Sequence, residues 1–351
     1  MGAPMEYVPI LRGRQGELIA LSETSMAIRR QIRPVLEVVL EGSVRGTVQR
    51  FFRQASHYLP AGLPVTLDCT SVVDLGPVGT GFQGHAMGWL GEGFEQFHQR
   101  IVPVFRPGDP EIALTEVRDV HHRHHQGACL RLGLDSIPVG RLQFHRQVAT
   151  ALDAVGLGPQ HVDLLLDVGY LPNGHALAQT LPRLLRLLAW AYTVPWRRVT
   201  VAAGSFPQRI PAFEPYRPQR LHRWEVDLWH QLARHTGHAP PAFADYGVTH
   251  PVHPHGRRWG KANLRYTVDD NWQVLTGKTD KNHESYTLCE HLVASDHWIP
   301  GNPPTPWGDR QIALRARNNE AGPGGGREWR AWATSHHLAT VTHRIQTQGG
   351  P

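Results

Sequence analysis

Cysteine is scarce in this 351-residue chain: Cys69, Cys129 and Cys289 lie far apart, with no Cys-x-x-Cys pair. So sparse and odd a set excludes a disulfide framework and points to reduced thiols in the cytoplasm. No apolar run is long enough to span a bilayer, and the first residues lack the basic-then-apolar pattern of a secretory signal. The most apolar stretch, 181–196, is broken by Pro182, Arg183 and Arg186 and reads as a helix with one buried face. No Gly-rich phosphate loop follows the first β-rich run, where Arg12-Gly13-Arg14-Gln15-Gly16-Glu17 stands instead. There is no His-Glu-x-x-His and no Cys/His cluster with zinc spacing, so neither a metal nor another cofactor is expected. Ser205 lies in Ala203-Gly204-Ser205-Phe206-Pro207, which lacks the second glycine of a nucleophile elbow, and serine-hydrolase chemistry is set aside.

Lysine is nearly absent as well, with three among 36 basic residues; against 30 acidic ones the net charge is +6. Arginine offers a planar fork that suits phosphate and stacks on bases. With 11 Trp and 23 His, the composition is compatible with nucleic-acid binding. A GC-rich coding sequence would enrich arginine in the same way, so composition alone does not decide.

The order of patterns is more specific. Short β-rich runs at 7–11, 35–40, 65–69, 101–105, 128–133, 162–168, 199–203 and 242–246 alternate with amphipathic stretches. Helices are expected over 18–32, 44–58, 139–155, 177–193 and 224–235. Eight strands with helices in nearly every gap predict an α/β fold, a TIM-like (β/α)8 barrel forming one domain over 1–351. Residues 251–260 read as irregular, and 262–275 as an appended β-hairpin turning at Asp269-Asp270-Asn271. A helix over 285–294, a Pro-rich loop at 300–307, a glycine hinge at 322–326 and a helix over 329–345 complete the chain, its last part (300–351) being a C-terminal extension.

In such barrels the working side chains come from strand C-termini and the loops after them. Those positions hold Arg12, Arg14, Glu17, Glu37, Glu41, Asp68, Thr70, Arg106, Asp109, Arg131, Asp135, Asp167, Ser205, Asp245 and Tyr246, a ring of carboxylates interleaved with arginines. Any one of these can serve as a structural ion pair or helix cap. Asp68, Asp167 and Asp245, however, each close an apolar run, where an unpaired carboxylate is costly, and are expected to converge on one mouth. The run His121-His122-Arg123-His124-His125 falls at the opposite end of the barrel and reads as solvated surface, while His336-His337 reads as a packing or capping pair.

Several motifs together resemble the "beta protein" family, named after a T-even phage protein and found widely in bacteria. They are Tyr7-Val8-Pro9-Ile10-Leu11 with Gly16-Glu17, Asp245-Tyr246-Gly247 with His250-Pro251, Ala262-Asn263-Leu264-Arg265-Tyr266-Thr267, Trp307-Gly308-Asp309, and Trp329-Arg330 with His336-His337. The resemblance covers nearly the whole chain. It implies similarity to bacterial antiphage DNA glycosylases, whose substrate is double-stranded phage DNA carrying glucosylated hydroxymethylcytosine. On that implication Asp245, Asp68 and Asp167 are the expected catalytic carboxylates, stabilising a sugar cation and activating water. Arg12, Arg14, Arg257, Arg258, Lys261 and Arg265 would hold phosphates. Glu37, Arg131, Tyr246, Asn263, Tyr266 and Trp329 would line the base and sugar pocket. No membrane and no protein partner are implied. Two other functions fit the same residues: a phosphodiesterase or nuclease whose acids gather Mg²⁺ or Ca²⁺, and a non-catalytic sensor of phage DNA or protein.

Overall fold

Side chains along a strand alternate between faces, and in a closed barrel the two faces are the lumen and the helical shell. The computed structural model describes residues 6–73, 84–136, 141–235, 237–252, 261–299, 305–317 and 319–351. In it, β1 (Tyr7–Leu11), β2 (Val35–Glu37), β3 (Val65–Asp68), β4 (Ile101–Phe105), β5 (Ala128–Gly133), β6 (Val162–Tyr170), β7 (Arg198–Gly204) and β9 (Ala242–Asp245) form a closed barrel. Every neighbouring pair is parallel, and β9 closes on β1 with Pro9 opposite Asp245. All eight expected strands are therefore present, making the fold a TIM-like (β/α)8 barrel.

Alternate strand residues, Val8, Ile10, Val35, Val102, Val104, Cys129, Leu165, Ala202, Ala244 and Tyr246, pack together in the lumen. The residues between them, among them Tyr7, Leu11, Leu36, Leu67, Phe105, Leu130, Leu164, Leu166 and Phe243, join the larger core under the helices. The helix Val44–Tyr58 shows how the shell forms. The Ser43 hydroxyl accepts from the Gly46 amide at 3.1 Å, satisfying a free donor of the first turn. Thr47, Val48, Phe51 and Ala55 then bury one stripe. Expected helix 18–32 is instead two, Gln15–Ser22 and Met26–Arg29, because Ser25 caps a new start with its hydroxyl on the Ile28 amide.

A second layer lies beyond the repeat. The expected hairpin is β10 (Asn263–Val268) and β11 (Asn271–Thr276), and β11 also pairs antiparallel with β8 (Gln219–His222), a strand with no apolar run to announce it. Helices Glu284–Val293 and Gly326–Gln348 pack on this sheet, and Trp307–Arg317 packs against both of them. The last of them lies against the helix Gln15–Ser22 and touches β1, as a closing barrel helix does. Its approach to its neighbours is close: a Cβ on Gly308 would lie 2.1 Å from the Trp332 carbonyl oxygen, and one on Gly16 would lie 2.5 Å from that of Arg327. Among the described residues no helix is long and apolar enough to cross a membrane. All three cysteines are free and buried.

Candidate active site at the barrel mouth

The lumen parity of each strand carries one step further into the mouth. Val35 places Glu37 inward, Thr66 places Asp68, Cys129 places Arg131, Leu165 places Asp167, and Ala244 places Tyr246. These five side chains meet. Arg131 donates from Nη1 to Glu37 Oε1 at 2.8 Å and to Asp68 Oδ2 at 2.7 Å. Its Nε and Nη2 donate to Asp167 Oδ2 at 3.0 and 2.7 Å. Tyr246 accepts from Arg131 Nη2 at 2.8 Å and donates to Asp167 at 2.7 Å. Arg106, one step beyond β4, closes a two-pronged pair on Asp68 at 3.1 and 2.8 Å. Gly204 makes room for the tyrosine: a Cβ there would sit 2.9 Å from the Tyr246 ring and 2.8 Å from Pro251.

The three carboxylates differ in what is left to them. Asp68 accepts from the Thr70 amide as well as both arginines, and Asp167 accepts from the Gly169 amide. Both oxygens of each are therefore occupied. Glu37 is engaged through Oε1 alone; its Oε2 has no hydrogen-bond partner among the described residues, and its side chain is 18% exposed. Burial, reinforced by Asp68 and Asp167, raises the Glu37 pKa against the pull of Arg131. Burial pushes Asp68 the same way, but Arg106 and Arg131 outweigh it and hold that carboxyl well below the usual range. Burial and the Asp167 charge also keep the Tyr246 hydroxyl protonated, despite Arg131.

Asp245 does not join this group, which corrects the expected convergence of three aspartates. It neighbours Tyr246 in the chain and so points to the opposite face of β9. There it is wholly buried, accepting from the Tyr7 hydroxyl at 2.6 Å, the Gly247 amide at 2.9 Å and Arg223 Nη2 at 3.1 Å. His337 Nε2 stands 3.0 Å from it, and His337 Nδ1 lies 2.7 Å from the Thr267 hydroxyl. Burial lowers the His337 pKa, while the His337 ring, then Arg223 and the Tyr7 hydroxyl, outweigh the burial of Asp245 and hold its carboxyl well below the usual range. Arg223 also reaches Glu225, which burial pushes up to about 7 and which takes the Ser205 hydroxyl. This is a polar seal between the barrel wall and the last helix.

The remaining expected residues separate in the same way. Arg12 is buried at the end of β1, its Nη2 on the His250 carbonyl. Arg14 pairs with Glu41 at 2.8 Å. Arg265 donates to the Val248 carbonyl at 2.5 Å and to Asn263 Oδ1 at 3.1 Å, so Asn263 positions an arginine. Lys261 is exposed, and Arg257 and Arg258 lie outside the described residues. Tyr266 and Trp329 belong to the C-terminal core, not to a pocket. Tyr266 stacks on His336 at 3.7 Å and donates to the Ile299 carbonyl, and the Trp329 indole donates to the Pro323 carbonyl. The histidine run is not all solvated either, since His124 is buried with its ring on the Gly91 carbonyl and the Ile101 amide. Among the described residues no group of three His, Cys, Asp or Glu is placed to hold a metal ion; the centre of the carboxylate triangle is filled by Arg131.

Arg106 is one of the expected strand-end arginines, and β4's parity, with Val102 and Val104 facing inward, brings it to the mouth. Arg223 was not among the expected residues: it follows β8, which has no apolar run to announce it.

No curated protein matches the chain's sequence. Among solved structures, glucose-6-phosphate dehydrogenase in complex with its substrate glucose-6-phosphate is similar over 54% of this chain at 10% identity and a TM-score of 0.22. The chain spans 41% of that protein, and so low a score carries no argument. The family model described as Beta protein matches residues 7–343, nearly the whole barrel and its C-terminal layer, and the chain belongs to that family.

Proposed function

We propose that the barrel mouth hydrolyses a glycosidic bond, and that the protein is a DNA glycosylase releasing a glucosylated hydroxymethylcytosine base from phage DNA. One observation carries the reading: among three convergent carboxylates, only Glu37 keeps an oxygen free and a raised pKa, while Asp68 is held ionised beside it. Two acids driven apart in this way are suited to separate roles. Protonated Glu37 donates its proton to the departing base as the C1′–N bond breaks. Water adds to C1′, and its released proton returns to the Glu37 carboxylate. Asp68 and Asp167 position Arg131, which in turn fixes Glu37. The family resemblance and the +6 charge support a DNA substrate.

The test incubates the protein with glucosylated and unmodified phage DNA and scores abasic sites and strand breaks separately. Abasic sites on the modified DNA alone are expected, with Glu37→Gln slowing their formation by about 10²-fold or more. An acid must be protonated to act, so the rate should fall as pH rises through the elevated Glu37 pKa. Direct strand breaks would replace this reading with the nuclease one, and binding without any product would replace it with the sensor.

A further inference from the structure

Phe97 and Tyr170 are the exposed aromatic side chains among the described residues. Phe97 precedes β4, at the far end of the barrel, whereas Tyr170, 39% exposed, ends β6 just beyond Asp167 at the mouth. The register of β6 against β7 shifts between Asp167 and Tyr170, and Gly169 adopts a φ of +71° there. Irregularities of this kind re-aim a side chain beside a site. A Cβ on Gly169 would meet no described atom within 4 Å, so the space along this strand end is open.

His250 completes the feature. It lies on the loop after β9, its carbonyl held by Arg12 at the end of β1. Its ring stands 4.4 Å from that of Tyr170, inclined by 45°. Its Nδ1 is 2.9 Å from the Val252 amide and 3.0 Å from the Val252 carbonyl oxygen, so both local contacts use one ring nitrogen. Neither His250 Nε2 nor the Tyr170 hydroxyl has a hydrogen-bond partner among the described residues. The mouth thus offers a flat apolar face flanked by two free polar atoms. In strand order β6 stands opposite β2, and Arg131 bridges the two sides through Asp167 and Glu37.

We infer that Tyr170 and His250 form the subsite for a hexose ring carried by the substrate. Sugar C–H groups pack on an aromatic face, and a hydroxyl both donates and accepts, so it pairs with His250 Nε2 in either tautomer. The two rings make a corner, not the parallel-sided slot that clamps a flat base, and a puckered ring with hydroxyls round its edge fits a corner. A base held against Glu37 would extend its glucose across the mouth to β6. That last assignment rests on the glycosylase reading above; the hexose site itself rests on the two rings.

Tyr170 is exposed, so its ring can be removed without opening the core. Methyl glucoside is titrated into wild type, Tyr170→Ala, Tyr170→Phe and Glu37→Gln, and binding is followed by NMR. Glu37→Gln should bind it as wild type does and Tyr170→Phe nearly so, while Tyr170→Ala should bind about tenfold more weakly. On glucosylated DNA, Tyr170→Ala should raise KM about tenfold and leave kcat within about twofold, because the contact is made equally before and during bond breaking. Glucoside affinity equal in wild type and Tyr170→Ala, or absent from both, overturns the subsite. If Tyr170→Ala instead weakens binding of unmodified single-stranded DNA and spares the glucoside, the platform belongs to a nucleobase and the proposal falls. Glucoside binding that follows Tyr170 while KM does not overturns the assignment to the substrate's glucose. Glucoside binding that follows Tyr170 in a protein that releases no base leaves the subsite standing and removes the glycosylase reading. Base release whose KM, like glucoside affinity, is indifferent to Tyr170 does the reverse.

Discussion

Replacing Arg131 with methionine should destabilise the protein, and the size of the loss should depend on pH in a defined direction. The side chain makes bonds to Glu37, Asp68, Asp167 and Tyr246, and the aspartates and the arginine are almost wholly enclosed. Methionine keeps most of the volume, so the loss is electrostatic. Breaking a buried pair by removing one partner costs about 3–5 kcal/mol, because the other charge stays buried. At about 2.1 cal/mol/K of unfolding entropy per residue, a chain of 351 residues would lose about 4–7 °C in Tm. Without Arg131, burial and mutual repulsion raise the folded-state pKa of the stranded carboxylates above their unfolded values. An acid with a raised folded pKa favours folding more as pH falls, since the folded state then binds the extra proton. The deficit of the variant should therefore be full at pH 8 and shrink towards pH 5. Urea unfolding of both proteins at pH 8 and pH 5 gives the answer. Equal deficits at the two pH values, or no deficit at pH 8, would refute the claim that Arg131 is the countercharge of the mouth.

Asp245→Asn should cost about 3–5 kcal/mol of stability, because it strands Arg223, while base release at 25 °C stays within about twofold of wild type. The folded pKa of Asp245 is depressed, so its stabilisation is present above the unfolded carboxyl value and lost only as pH falls through the folded one. A folded Asp245→Asn protein without activity would put the residue back in the catalytic machinery. Gly308→Ala forces a methyl to within 2.1 Å of the Trp332 carbonyl, and overpacking of this kind costs about 1–3 kcal/mol. Urea midpoints indistinguishable from wild type would show that the two helices can part without loss.

The barrel was readable because its strands are apolar on both faces and its helices on one, so composition and period agree over eight repeats. Helix bounds slipped where local capping intervened, as at Ser25. The mouth was half readable. Glu37, Asp68, Arg131, Asp167 and Tyr246 follow from two-residue alternation once the strand ends are known. The same rule applied to 242–246 separates Asp245 from Tyr246, and the sequence reading overlooked it by ranking residues by position at a strand end and not by face. Tyr266 and Trp329 were beyond reach, since aromatic side chains look alike in sequence whether they stack on a ligand or on His336. Strand β8 carries Gln219, Arg220 and His222 around a single Leu221, and its pairing with β11 is decided by tertiary context that no local pattern encodes.

The hydrogen bonds that join Tyr7 and Asp245 to His337 tie the first strand to the last helix across 330 residues of chain. During synthesis, β1 and β9 can meet as soon as residue 245 has left the ribosome, but Asp245 and Arg223 then face an open flank. Water must serve that charge until the segment around residue 337 arrives and displaces it. Contacts of such sequence separation are slow to close. The nascent barrel should therefore pass through a nearly complete state whose seam, lined by Tyr7, Phe243 and Asp245, stays open until the last helix docks.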